Sequence, residues 1–492
     1  MKKLNLLAIL FAMISIISCD NFLDINESVD TPETTSPNYL LPAIQGNMAA
    51  THYEQGETIS YFTQYVTTIS GGSTQKDRWD YRNTLRVGLW RKNYFDVAGN
   101  ADKMVQIAEE EESNNYAGVG LTMKAFSFLT TTDIFGDMPV DDAFSGIYNP
   151  SYDPQEMVYS EIGKWLDQAL VHLEKSDETD RILNASSDRI YQGDLNAWVS
   201  FIHGIKARMT LHTANFQNSY DVVLSEIDLA YENWEDPTYL YPEDPVNDWE
   251  RNMWGPAKAR PQWDFVTNSL SSSVSTDLFM NAMKLGGDLD PRLTKLTSPG
   301  TNGEYFSIPA SSGLSGLSQN DFANLYDGYW TRDDSPIIWM TQEELNFIEA
   351  EAAFYTNDKD RAYNAYIEGI KNNFYRLEVT LDTIDLYLNS DAVAKSADDL
   401  TISDIMMQKF IALYLQPETW VDMRRYKYNP DVYESLSYPE NALEIYNGEY
   451  IQRLPYDPQT EYIYNPNEIE RLNAKDPMWL VNKVWWAANS TL

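Results

Sequence analysis

The chain has one cysteine, Cys19, and four histidines in 492 residues. One thiol excludes an internal disulfide framework, a zinc ribbon and an iron–sulfur site. His52, His172, His203 and His212 show neither H-x-x-x-H nor H-x-x-E-H spacing, so they carry no zinc-hydrolase signature. Basic residues are few: 36 Lys and Arg against 74 Asp and Glu give a formal net charge of −38. Such a chain is repelled by nucleic acid and offers no basic patch to anionic lipid. No Walker-type or dinucleotide glycine loop is present. The nearest approach to a G-x-S-x-G elbow is Gly313-Leu314-Ser315-Gly316-Leu317, with leucine where the last glycine belongs. Paired carboxylates for glycoside cleavage carry no information here, because so many acidic residues make pairs by chance. What the chain has in quantity is aromatic: 14 Trp, 33 Tyr and 18 Phe, within a hydrophobic content of 43% that excludes a disordered chain.

The one long apolar run is at the N-terminus. Lys2 and Lys3 precede Leu4 to Ile17, which is shorter than the roughly 20 residues a bilayer core requires but suits a signal peptide. The run ends in Ile16-Ile17-Ser18-Cys19, which resembles a bacterial lipobox. Residues 1–18 are therefore expected to be a cleaved leader, with Cys19 acylated (a palmitate-type modification). Two acyl chains anchor stably without a basic patch. Residues 19–38 are rich in Asp, Glu, Ser, Thr and Pro and read as a spacer, with Pro32 and Pro37 disfavouring helix.

Helical periodicity follows. Val158, Ile162, Leu166, Ala169 and Leu173 form one stripe over 154–175, with Asp153 expected as N-cap and Pro154 as the first helical residue. Trp198, Ile202, Ile205, Met209 and His212 form another over 194–216. Leu345, Ile348, Ala352 and Tyr355, then Tyr363, Tyr366, Ile370 and Phe374, flank a short turn at 356–360 and predict an αα-hairpin. Further helices are expected at 39–50, 90–112, 116–131 and 402–415. The fold class is mainly α, with 39–492 read as one helical unit. The stretch 234–340 differs: it holds nine of the 22 prolines and six of the 14 tryptophans, and is read as a loop-rich insertion. A second loop-rich aromatic segment runs from 430 to 467. In 416–425, Glu418 and Asp422 share a helix face and Arg425 is three residues on, which predicts a structural ion-pair patch.

Several segments together resemble SusD/RagB-type outer-membrane lipoproteins of Bacteroidetes. They are SCDNFLDIN at the lipobox, DIFGDMPVDDAF (133–144), DPRL (290–293), SPIIWMTQEELNFIEAEAAF (335–354), QPETWVDMRRYKYN (416–429) and RLPYDPQTEYIYNPNE (453–468). The resemblance implies a helical scaffold of tetratricopeptide-like pairs with a ligand surface on inserted loops. It also implies display at the cell surface and a SusC-like TonB-dependent transporter as partner. The implied cargo is oligosaccharide, with oligopeptide as the alternative.

A sugar site needs ring faces for stacking and planar polar groups for hydroxyls. Three clusters combine them: Arg78, Trp79 and Tyr81; Trp249 and Trp254, extended by Trp263; and Tyr329 and Trp330. For each tryptophan the alternative is a ring plugging a gap between loop and scaffold. Trp485 and Trp486 are expected to dock the C-terminus. Asp288 and Asp290 are weak candidates for structural calcium, and no other cofactor is expected. The sequence therefore predicts a capture protein without covalent chemistry; a surface glycoside hydrolase is the less favoured reading.

Overall fold

The apolar stripes fold as helices, and loops between them carry the insertions. The computed structural model describes residues 35–80, 88–178, 182–242, 250–256, 268–314, 316–326 and 328–492. The leader, Cys19, most of the spacer, Tyr81, Trp249 and Trp263 lie outside the described residues. The main helices are α1 (Pro37–Ile59), α2 (the contiguous segments Gly88–Arg91, Lys92–Gly99 and Asn100–Glu110), α3 (Asn114–Phe135), α4 (Gln155–Leu173), α5 (Leu195–Gln217) and α6 (Tyr220–Ala230). After the insertion come α7 (Gln342–Tyr355), α8 (Lys359–Arg376), α9 (Leu381–Leu388), α10 (Ile402–Ala412) and α11 (Glu418–Arg425). Every residue of the α4 stripe is buried, so that face packs against its neighbours, chiefly α3. α5 packs on α6 and α7 on α8. Each of these hairpins turns through an asparagine with positive φ, Asn218 at 55° and Asn357 at 61°, a conformation its short side chain tolerates. Two pairs of short antiparallel strands, β1 (Val66–Thr68) with β3 (Ser273–Ser275) and β2 (Thr238–Tyr239) with β4 (Ile337–Ile338), stitch the insertion to itself and to the start of the chain.

Several details differ from the sequence reading: the helix expected at 39–50 runs on to Ile59, that at 116–131 spans Asn114–Phe135, and that at 402–415 ends at Ala412. Pro37 opens α1 instead of barring it, because a proline at the first helical position lacks only an N–H that would be unpaired anyway. α2 is not one regular helix: its middle segment, Lys92–Gly99, is a π-helix. At α4, Pro154 is itself the cap; the Asp153 carboxylate accepts instead from the backbone N–H groups of Val140 (2.8 Å) and Asp141 (3.0 Å). The C-terminus docks as expected: Trp486 is buried and its Nε1 donates to Asp133 (2.8 Å), while Trp485 stays half-buried.

The core contains a chain of ionised groups centred on α11. The Arg425 guanidinium bonds Glu351 of α7 and Asp422 (2.7 Å), and Asp422 also pairs with Lys409 of α10 (2.7 Å). Glu418 meets His212 of α5 at 2.8 Å, and Arg208, one turn earlier, holds Glu344 at 2.7 Å. Arg424 donates to the carbonyls of Asp133 (2.6 Å) and Gln452 (2.8 Å). The pairing expected between Asp422 and Arg425 is present, although it lies in the interior. In DPRL the Asp290 carboxylate is taken up by Arg292, whose Nη2 also reaches Gln408 (2.7 Å). Among the described residues no group of three His, Cys, Asp or Glu is placed to hold a metal, and no helix is long and apolar enough to cross a membrane.

Between α1, α3, α5 and α11 this charged core leaves a cavity of about 30 Å³, lined by His52, Asp133, Arg208, Glu344, Glu418 and Arg424 among others. At roughly 10–15 Å³ per water, it has room for two or three water molecules and excludes a sugar ring. Burial holds the His52 imidazole down at about 4, despite the bond its Nε2 makes to Gln416 Oε1 (2.7 Å). Burial pushes the Glu418 carboxyl up, but His212 and Arg208 outweigh it and hold it at about 2.

Two outcomes are expected. Arg425→Met leaves Glu351 without its buried cation and lowers stability by about 3–5 kcal/mol in urea unfolding; a loss under about 1 kcal/mol refutes the tie. Because His52 binds a proton less readily folded than unfolded, it favours the fold above pH 6.5 and progressively disfavours it as pH falls towards 4. Relative to His52→Gln, the native chain therefore loses roughly 2.5 kcal/mol of stability between pH 7.5 and 4.5, and an unchanged difference between the two refutes that assignment.

Candidate functional site

The first aromatic cluster lies in a loop held by a buried carboxylate. Asp77 accepts from the Thr68 N–H (3.1 Å) and from the hydroxyls of Thr67 (3.2 Å), Thr74 (3.1 Å) and Thr68. Burial raises its pKa, and those bonds oppose the rise. The turn this creates sets Trp79 at φ 56° and sends its ring inward, between Phe62, Tyr438 and Tyr450 at centroid distances of 6.1, 5.6 and 5.8 Å. The ring is only 2% exposed, so it does not offer a stacking face. Arg78 points the other way and is exposed.

Two segments distant in sequence lock this loop. From the insertion, Ser311 donates its N–H to Thr67 Oγ1 (2.8 Å) and its hydroxyl to the Asp77 carbonyl (2.8 Å). From the later aromatic segment, the Leu443 N–H reaches the Arg78 carbonyl (3.0 Å), the Tyr446 hydroxyl reaches the Trp79 carbonyl (2.9 Å), and Asn441 Nδ2 reaches the Ser311 carbonyl (2.7 Å). Gly71 and Gly313 are forced by the contact: both have positive φ, and a Cβ on Gly313 would stand 2.9 Å from the Gly71 nitrogen. At this junction Arg78 and Asn441 are exposed, and the rings of Tyr438 and Tyr450, packed on Trp79, are half-buried. Tyr450 is itself stacked on Tyr428 at 4.2 Å, which fixes its plane.

The second and third clusters fold onto each other. Asn252 donates through Nδ2 to the Ser335 carbonyl (2.9 Å) and accepts from the Trp254 N–H (2.9 Å). Trp254 packs edge-on against Tyr53 of α1 at 4.9 Å and is 4% exposed. Trp330 is equally buried, with Tyr329 edge-on at 4.8 Å. Tyr329 is half-buried, and the Arg332 guanidinium lies 5.9 Å from its ring. The expectation that Trp79, Trp254 and Trp330 line a site is thus corrected. In each case the ring turns in, while Arg78 and Arg332 beside two of them are exposed, so a charged residue beside a tryptophan did not mark an open face. Of the described sequence candidates, Arg78 is exposed and Tyr329 half-buried. Tyr438 and Tyr450 were not singled out; their segment was recognised as aromatic, but nothing local marks which rings surface.

Trp79→Ala is accordingly expected to cost roughly 3–5 kcal/mol in urea unfolding, as for other buried indoles. A variant of unchanged stability would return the ring to the ligand face.

The family model described as "Starch-binding associating with outer membrane" (SusD-like) matches residues 29–457. No curated protein matches the chain by sequence. Among solved structures, a SusD/RagB family protein from Bacteroides thetaiotaomicron superposes with TM-score 0.74 at 19% identity, covering 92% of this chain and 99% of its own. A chitin-binding SusD homologue from Flavobacterium johnsoniae gives TM-score 0.69 at 19% identity, covering 90% of this chain and 98% of its own. A further chitin-binding protein gives TM-score 0.70 at 19% identity, covering 92% and 100%. At these identities the superpositions establish the shared fold, and the family match establishes membership: the chain belongs to the SusD-like family.

Proposed function

We propose that the protein captures an oligosaccharide at the cell surface and delivers it to a SusC-like TonB-dependent transporter, held to the outer membrane by lipid on Cys19. The carrying observation is the junction of three loops on a SusD-like scaffold: it is tied by hydrogen bonds and carries the exposed Arg78 and Asn441 and the half-buried rings of Tyr438 and Tyr450. Arg and Asn donors suit vicinal hydroxyls, and tyrosine rings suit the apolar side of a sugar. The relatives, a family described as starch-binding and two structural neighbours described as chitin-binding, support a glycan cargo. An open face of this kind gives modest affinity. Enclosure against the transporter would add buried ligand surface and slow escape. The reading needs no bond-making residue, and the protein acts as a binder rather than an enzyme.

The test uses residues 20–492 without lipid, titrated calorimetrically against soluble polysaccharides and a tryptic peptide mixture, with product analysis after long incubation. A glycan is expected to bind and be recovered uncut, and Arg78→Ala to weaken it at least fivefold with unchanged thermal unfolding. Cleaved product would make the protein an enzyme, and a response to peptides alone would move the cargo to oligopeptide. In cells, Cys19→Ala is expected to release the protein from the membrane fraction.

A further inference from the structure

The helical scaffold carries a second concavity that shares no lining residue with the loop face. It is a groove of about 680 Å³ between α7 and α8, closed at one end by Tyr231 and Trp234 just after α6. That volume lies in the range of roughly 300–1,000 Å³ usual for small-ligand sites. On α8, Asn364, Glu368 and Asn372 recur at four-residue steps, so a single polar stripe faces the groove, with Ala365 leaving space beside it.

The floor is held in place by a relay of hydrogen bonds. Asn372 Nδ2 donates to Asn346 Oδ1 (2.8 Å), Asn346 Nδ2 donates to the Tyr231 hydroxyl (2.8 Å), and that hydroxyl donates to Glu349 (2.9 Å). Arg361 closes the relay on the other Glu349 oxygen at 2.7 Å. The wall is equally fixed. Trp234 Nε1 donates to Asp236 (2.9 Å), and the ring lies over Gly204, where a Cβ would stand 2.7 Å from it. Only glycine at 204 admits the indole in this position. Among the described residues, nothing pairs with the side-chain amides of Gln342 and Asn364, which both line the groove.

The chemistry selects the occupant. The charges are spent: Arg361 is neutralised by Glu349 and Asp228 (2.6 Å), and Glu368 by Lys371 (2.8 Å). With three carboxylates to two cations there, an anionic ligand is disfavoured. The lining has one aliphatic residue, Ala365, so a peptide would find no apolar pockets for its side chains. It does have a fixed indole and four amides, of which Asn346 is tied up in the relay, the pairing a hydroxylated ring requires. We propose that this groove is a second saccharide site, taking a short neutral oligosaccharide with Trp234 against a sugar ring and Gln342, Asn364 and Asn372 on its hydroxyls.

The test titrates residues 20–492 with chito-, xylo-, malto- and manno-oligosaccharides, with oligogalacturonate and a tryptic peptide mixture as controls. The double variant Gln342→Ala/Asn364→Ala changes exposed or half-buried side chains that bond nothing else, so folding should be spared; thermal unfolding checks this. At least one neutral oligosaccharide is expected to bind tenfold or more weakly to the double variant, and Trp234→Phe to lose less. Arg78→Ala should leave that component unchanged, which separates this groove from the loop face. The proposal is overturned if no neutral oligosaccharide responds to the double variant, if none binds at all, or if only oligogalacturonate or peptide responds.

Discussion

A buried chain of charge runs through the scaffold, and the eight residues of α11 hold its centre. Four basic side chains, Arg208, His212, Lys409 and Arg425, meet five carboxylates, Asp133, Glu344, Glu351, Glu418 and Asp422, all less than a tenth exposed. The partners of α11 come from α5, α7 and α10. No helix can slide or rotate on α11 without exposing an unpaired ion to the core, and that penalty exceeds what any surface pair could offset. Apolar stripes bring the pairs together; the ions fix their register. The short β1–β3 and β2–β4 ladders and the inserted loops then rest on a frame already set.

The frame was largely legible because its signals are periodic. The stripes at 154–175 and 194–216 appear as helices within a residue or two, and those from Leu345 to Tyr355 and from Tyr363 to Phe374 lie within the α7 and α8 helices. Where the reading slipped, the cause is local. Pro37 can open a helix as readily as block one, and the π-helical middle of α2 leaves no mark in hydropathy. The Asp422–Arg425 pairing was visible from spacing alone, but its depth was not. A buried ion pair and an exposed one have the same sequence spacing.

The loop face was much less legible. Whether Trp79, Trp254 or Trp330 surfaces depends on hydrogen bonds to residues far along the chain, such as Ser311 and Tyr446 for the loop of Trp79. Sequence neighbours carry no trace of those partners. The rings of Trp79, Trp254 and Trp330, which the reading chose, turn inward, because the largest ring of each cluster is also the one that gains most from burial. Arg78, named beside Trp79, is exposed.

The junction of the three loops has a consequence for biogenesis. Its closing bonds span 234 residues from Ser311 to Asp77 and 367 from Tyr446 to Trp79. Contacts of such long range incur their loop-closure entropy late, after nearer contacts have shortened the effective loops. The junction is therefore completed only when residues 443–446 have folded back onto the loop of Trp79, and a chain that lacks them keeps the ties from Ser311 alone. Its full geometry is a property of the whole fold rather than of any one segment.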